Sequence, residues 1–135
     1  MKKHLFVYGT LMKGYRNHDA YIKGKYLSRK KARVKGRLYH LKKCGCPALL
    51  NGNGTVIGEL YELSDFKETI IKTDLLENYD SQNVYASQYI RTEIPVRLDN
   101  GQVIKADAYL YHITNLEEFM ERAYLIEDEL WKESI

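Results

Sequence analysis

His4-Leu5-Phe6-Val7-Tyr8-Gly9-Thr10-Leu11 opens the chain with a short apolar run that breaks at a glycine. A run of this length bounded by Gly reads as a buried β-strand leading into a loop. Gly14 continues the loop, and a short helical piece is expected around Asp19 to Lys23. Arg33 to Leu41 is the next strand, with Val34, Leu38 and His40 on one face. Cys44-Gly45-Cys46-Pro47 predicts a turn, and Asn51-Gly52-Asn53-Gly54 a second, because Asn and Gly take positive φ cheaply. Thr55 to Leu63 alternates as a strand should. Ser64 or Asp65 then caps a helix, Asp65 and Glu68 having capping-box spacing. Its apolar stripe is Phe66, Ile70, Ile71 and Leu75, and it ends near Glu77-Asn78-Tyr79-Asp80. Tyr85 to Val96 predicts a tyrosine-rich strand that Pro95 confines to an edge or an end. Asp99-Asn100-Gly101 marks a hairpin, and Val103 to His112 is the return strand. Asn115 with Glu118 caps a last helix with the stripe Phe119, Ala123, Ile126 and Leu130. The order β, β-β, α, β-β, α predicts an α+β domain over residues 1–135, built on an antiparallel or mixed, curved sheet. Helices do not alternate with strands, which argues against a doubly wound nucleotide-binding fold.

The 135 residues are 44% apolar, as in an ordinary globular domain. Twelve Tyr stand against three Phe and one Trp, which suits strands that are half wet or line a polar cavity. The net charge of +3 is unevenly spread. No Asp or Glu occurs from Ala20 to Gly58, where lysines and arginines crowd, whereas Glu117 to Glu133 is acidic. Such asymmetry suits an anionic partner or two solvated faces of opposite sign, and the second reading is favoured. A nucleic-acid module is disfavoured because no recognition motif accompanies the basic residues. No stretch is long and apolar enough for a bilayer, so no membrane partner is expected. The apolar run after Met1-Lys2-Lys3 is too short for an export signal, which predicts a cytoplasmic protein. Cys44 and Cys46 are then expected as reduced, ordinary thiols. Their spacing, even with His40 nearby, does not suit a four-ligand zinc site.

Chemistry has two candidate seats. In Val7-Tyr8-Gly9-Thr10-Leu11 a strand runs into Gly-Thr, and successive free N–H groups in such a turn form a nest for an anion such as a carboxylate. Read alone, the same residues also describe a plain strand-end turn. In Asp74-Leu75-Leu76-Glu77-Asn78-Tyr79 two carboxylates three residues apart share a helix side. Partial burial between Leu76 and Tyr79 would raise the pKa of Glu77 toward neutrality and suit it to acid–base work. An exposed glutamate is the alternative. Asn17-His18 could orient a substrate or cap a helix, Tyr89 and Arg91 share a strand face, and Tyr109 and Tyr111 share another with core packing as their default.

Taken together, the segments resemble the gamma-glutamylcyclotransferase-like family, and in particular its gamma-glutamylamine cyclotransferase branch. Phe6-Val7-Tyr8-Gly9-Thr10-Leu11-Met12-Lys13-Gly14 with Asn17-His18 resembles the family's opening. Gly45-Cys46-Pro47-Ala48-Leu49, Val56 to Tyr61, Leu75 to Tyr79, Tyr89-Ile90-Arg91 and Ala108 to Tyr111 follow in family order. The resemblance implies a small mixed β-barrel flanked by helices, with an end cavity. It implies cofactor-independent cyclisation of a gamma-glutamyl amine or amino acid to 5-oxoproline and a free amine. Glu77 would be the acid/base, and Tyr8, Gly9, Thr10, Leu11 and Tyr111 would bind a small-molecule gamma-glutamyl substrate. No metal, cofactor or nucleic acid is implied, and no oligomeric partner is specified. The alternative is a non-catalytic binder of a small carboxylate in the same cavity. Two positions depart from the family: Asn78 where Gly often follows the glutamate, and Cys46 where an aromatic is common.

Overall fold

The fold, a computed structural model, is described for residues 1–133. Strand β1 (His4–Val7) is followed by helix α1 (His18–Tyr21), strands β2 (Tyr26–Leu41) and β3 (Cys46–Leu63), and helix α2 (Phe66–Leu76). A short 3-10 turn, Val84–Ala86, leads into β4 (Tyr89–Leu98) and β5 (Val103–Tyr111). Helix α3 (Leu116–Arg122) and a short β6 (Ala123–Leu125) complete the order. The strands run β3-β1-β5-β4-β2, and β2 pairs again with β3, so five strands close into a barrel. Every pairing is antiparallel except β1 with β5, where Leu5 lies opposite Asp107. The expected α+β barrel with flanking helices is therefore the observed architecture.

β1 is buried on both faces. Phe6 and Tyr8 pack with Val34, Leu38, Leu49 and Val56 in one core. Leu5 and Val7 face a second core that includes Ile22, Tyr61, Ile70 and Tyr109. Gly58 on β3 lets the strands meet: a Cβ there would collide with the Val7 carbonyl and the Phe6 ring.

Three expectations change. The Asn51-Gly52-Asn53-Gly54 segment is not a turn but lies inside β3. Between the pairs Lys35↔Thr55 and Arg37↔Leu50, β3 carries extra residues that bulge. The reversal is made earlier, where the Gly45 N–H donates to the Leu41 carbonyl. On α2, Ile71 and Leu75 are exposed, and Thr69, Ile70 and Thr73 make the buried face. Thr73 is buried with its hydroxyl 2.7 Å from the Tyr109 hydroxyl on the barrel, a pairing that an apolar-stripe count cannot register. The last helix stops at Arg122, because Ala123 to Leu125 pairs with the β2 edge at Tyr39 to Leu41. Beyond it Trp131 is fully buried, its indole N–H donating to His40 Nδ1 at 3.0 Å. The Asp65 and Asn115 caps form as expected, accepting from the Glu68 and Glu118 N–H groups.

A polar network joins α2 to the barrel. Arg91 on β4 grips Asp74 of α2 with two donors, at 2.9 and 3.2 Å, and Asp107 of β5 with a third at 2.6 Å. Lys2 reaches the other Asp107 oxygen at 2.9 Å, and Tyr109 donates to Asp74 at 2.6 Å. The Asp107 side chain is 2% exposed, so removing the arginine strands a buried charge. Arg91→Leu should lower the unfolding free energy by about 3 kcal/mol, read by urea denaturation. A loss below about 1 kcal/mol, the range of an exposed pair, would show that Lys2 alone satisfies Asp107.

Candidate active site

The loop after β1 forms one wall of a cavity of about 180 Å³. Tyr8, Gly9, Thr10 and Leu11 all line it. Gly9 is small because of Pro47: a Cβ at position 9 would collide with the proline ring. The loop is pinned from behind. The Asn17 amide donates to Thr10 Oγ1 at 2.9 Å, the Asn17 N–H donates to the Thr10 carbonyl at 3.0 Å, and His18 Nδ1 lies 3.0 Å from the Leu11 carbonyl. The N–H groups of Thr10 and Leu11 make no turn or loop hydrogen bond among the described residues. They are free to receive an anion, which is what a nest requires.

Glu77 is the facing group. The Glu77 N–H closes α2 on the Thr73 carbonyl at 2.9 Å, and Asn78 then takes φ 54. That left-handed residue ends the helix and turns the chain, a conformation Asn tolerates better than other non-glycine residues. Gln88 holds the turn. Its N–H donates to the Asn78 carbonyl at 3.0 Å, and its side-chain oxygen accepts from the Asn78 amide at 3.1 Å. Glu77 thus lines the same cavity, half-buried, with no ion-pair or side-chain hydrogen-bond partner among the described residues. Burial pushes its carboxyl up to about 7. Tyr8 and Tyr89 are pushed far above the ordinary phenol value, first by burial and then by neighbouring charge, including Glu77. They stay neutral and act as fixed dipoles: Tyr8 donates to the Tyr109 carbonyl and Tyr89 to the Pro47 carbonyl.

The structure brings five of the six expected residues together and leaves one out. Tyr111 does not line this cavity. It stands behind Tyr89, edge-on at 5.3 Å between ring centroids, and faces a neighbouring groove. Tyr109, two residues earlier on the same strand face, lines the cavity as well as packing in the core. Arg16, Pro47, Gln88 and Tyr89 also line it. Their sequence signals are weak, since each is a lone residue on a loop or strand that only the barrel's closure brings in.

The cysteines also differ from expectation. Cys44 and Cys46 form a disulfide and both line the cavity. Gly45 between them takes φ 62, which folds the segment so that the two Cα atoms lie 5.3 Å apart. That separation is within disulfide reach, although the spacing in sequence discourages it. Arg16 caps the turn by donating to the Cys44 and Gly45 carbonyls, each at 3.2 Å. Among the described residues, no cluster of three or more His, Cys, Asp or Glu is arranged to hold a metal ion, and no helix is long and apolar enough to cross a membrane.

Comparison with known proteins matches residues 5–133 to the family described as gamma-glutamyl cyclotransferase, AIG2-like. The gamma-L-glutamyl-butirosin B gamma-glutamyl cyclotransferase of Niallia circulans is 35% identical over 120 residues, covering 89% of this chain and 72% of that protein. The crystal structure of an AIG2-like protein from Mus musculus superposes with a TM-score of 0.72 at 25% identity, covering 96% of this chain and 88% of that one. YkqA from Bacillus subtilis superposes with a TM-score of 0.66 at 26% identity over 97% of this chain, which spans 40% of the longer YkqA.

The raised carboxyl has a stability consequence. A carboxyl with a higher pKa folded than unfolded favours the fold while protonated, and loses that advantage as pH rises through the folded value. For Glu77 the window runs from about 4.5 to about 7. Glu77→Gln cannot ionise, so its melting temperature relative to the parent should rise between pH 5 and pH 8 in calorimetry. A difference that stays flat across that range would mean the carboxylate is solvated.

Proposed function

The chain belongs to the AIG2-like gamma-glutamyl cyclotransferase family and is an enzyme of that type, and on that premise we propose that it converts a gamma-glutamyl amine or gamma-glutamyl amino acid to 5-oxoproline and a free amine, with Glu77 as acid/base. The observation that carries this reading is a carboxyl with a pKa of about 7 on the same cavity as the Thr10 and Leu11 amides. A group that titrates near neutrality can both take and return a proton at working pH.

The chemistry follows from the substrate's own connectivity. Nucleophile and electrophile belong to one glutamyl unit, so binding has only to fold it. The Thr10 and Leu11 N–H groups would hold the α-carboxylate and fix the unit's orientation. The ionised Glu77 takes a proton from the α-ammonium. The freed amine attacks the γ-carbonyl carbon and closes a five-membered ring with a tetrahedral centre. Glu77 then passes its proton to the nitrogen of the scissile amide, that C–N bond breaks as the carbonyl re-forms, and the surplus proton on the ring nitrogen passes to the departing amine, which leaves as its ammonium. Protons balance within the cycle, and Glu77 ends ionised. Tyr8 and Tyr89, held neutral, surround the reacting atoms with dipoles rather than mobile protons.

Glu77→Gln should reduce 5-oxoproline release by at least about 100-fold with little change in KM, in a coupled or chromatographic assay. Intact activity in that variant would remove the assigned role. Tight binding of gamma-glutamyl compounds without turnover by the parent would favour a binder over an enzyme with this reaction. The kcat/KM of the parent should rise with pH through about 7, as Glu77 ionises. A profile flat from pH 6 to 8 would argue against a glutamate base.

A further inference from the structure

The catalytic cavity is small for a whole substrate. Its volume of about 180 Å³ lies below the ~300–1,000 Å³ of sites that enclose a complete ligand. It suits a glutamyl unit and little more, so the part of the substrate that is released has to lie elsewhere.

A second groove of about 460 Å³ adjoins it, and Cys44 and Gln88 line both. Gln88 braces Asn78, the residue after Glu77. The boundary therefore falls beside the turn that carries Glu77. The side-chain oxygen of Gln88 accepts from Asn78, and its NH2 group donates to no protein acceptor among the described residues. The groove is built between the β2–β3 turn and α3, and the turn is tied to the C-terminal end of that helix by the Lys42 N–H donating to the Arg122 carbonyl at 3.0 Å.

Its wall is aromatic. Tyr111 and Phe119 stand with ring centroids 5.6 Å apart, and Leu41 and Ile113 extend the apolar surface. Its charge is positive on balance. Arg122 faces Glu118 at 3.8 Å, while Lys43 pairs with no carboxylate among the described residues. An apolar wall beside a free ammonium suits a ligand with an apolar body and a carboxylate.

We propose that this groove is the subsite for the released part of the substrate, and that it selects gamma-glutamyl amino acids bearing an apolar or aromatic side chain over gamma-glutamyl amines without a carboxylate. The inference rests on the cyclotransferase reading above. Tyr111 then serves the substrate from the groove, on the leaving side of the bond, and not from the catalytic cavity. Lys43 is the specificity-determining residue, reading the leaving group's carboxylate.

Three substrates test it through 5-oxoproline release: gamma-glutamyl-methylamide, gamma-glutamyl-phenethylamide and gamma-glutamyl-phenylalanine. The last two differ only in the carboxylate. The expected order of kcat/KM is phenylalanine above phenethylamide above methylamide, with the carboxylate contributing about fivefold, the size of an exposed charge pair. Lys43→Ala should erase the advantage of phenylalanine over phenethylamide, leave the two amides unchanged, and be rescued by Lys43→Arg. Equal kcat/KM for all three substrates in the parent would overturn the subsite while leaving the reaction intact. A uniform loss in Lys43→Ala would overturn the assignment of Lys43 to the leaving group. No release from any of the three would overturn the cyclotransferase reading itself, and the subsite with it.

Discussion

Arg91 stands between two carboxylates, Asp74 on α2 and Asp107 on β5. Asp107 lies opposite Leu5 at the parallel seam that closes the barrel. One guanidinium therefore fixes two things: the seam between first and last barrel strands, and the placement of the helix that ends in Glu77. Its planar fork satisfies both partners at once, which a lysine could not do. The Tyr109 hydroxyl adds a bond to Asp74 and lies 2.7 Å from Thr73 Oγ1, so the helix is held by polar contacts as well as by the packing of Ile70.

That anchoring explains how a carboxylate can be kept unpaired without the fold rejecting it. The anionic partners of Arg91 sit one layer away from the cavity, fully compensated, while Glu77 faces the cavity with no cation of its own. Burial alone then raises its pKa. Compensating Glu77 would stabilise the fold and hold its pKa too low for proton return. The structure separates a paired charge network from an unpaired carboxylate on the cavity.

Much of this architecture is legible in the residues. The burial of β1, the caps at Asp65 and Asn115, the left-handed Asn78 and the Asp99 to Gly101 hairpin rest on local chemistry that operates within a few positions. The misread segments have two causes: the turn at Gly45, and an unpaired strand edge distant in sequence. Asn51 to Gly54 has turn composition, yet the reversal was already made at Gly45, so the glycines serve a bulge. Ala123 to Leu125 has helical spacing, yet an unpaired edge of β2 draws it into the sheet. Cys44 and Cys46 read as separate thiols, yet the positive φ of Gly45 brings them within bonding reach.

For the site, the same division holds. The residues of the chain by themselves determined the loop Tyr8 to Leu11 and the glutamate at a helix end, because glycine placement and capping chemistry are short-range. They could not determine that these two lie on one cavity, that Tyr109 joins them and Tyr111 does not, or that Gln88 and Cys44 divide that cavity from a second groove. Those facts depend on barrel closure, which brings the loop after β1, the end of α2 and the β4–β5 hairpin around one cavity. Closure rests on pairings between strands distant in sequence, β1 with β5 and β2 with β4, and an energy shared among distant strands leaves no mark at any single position.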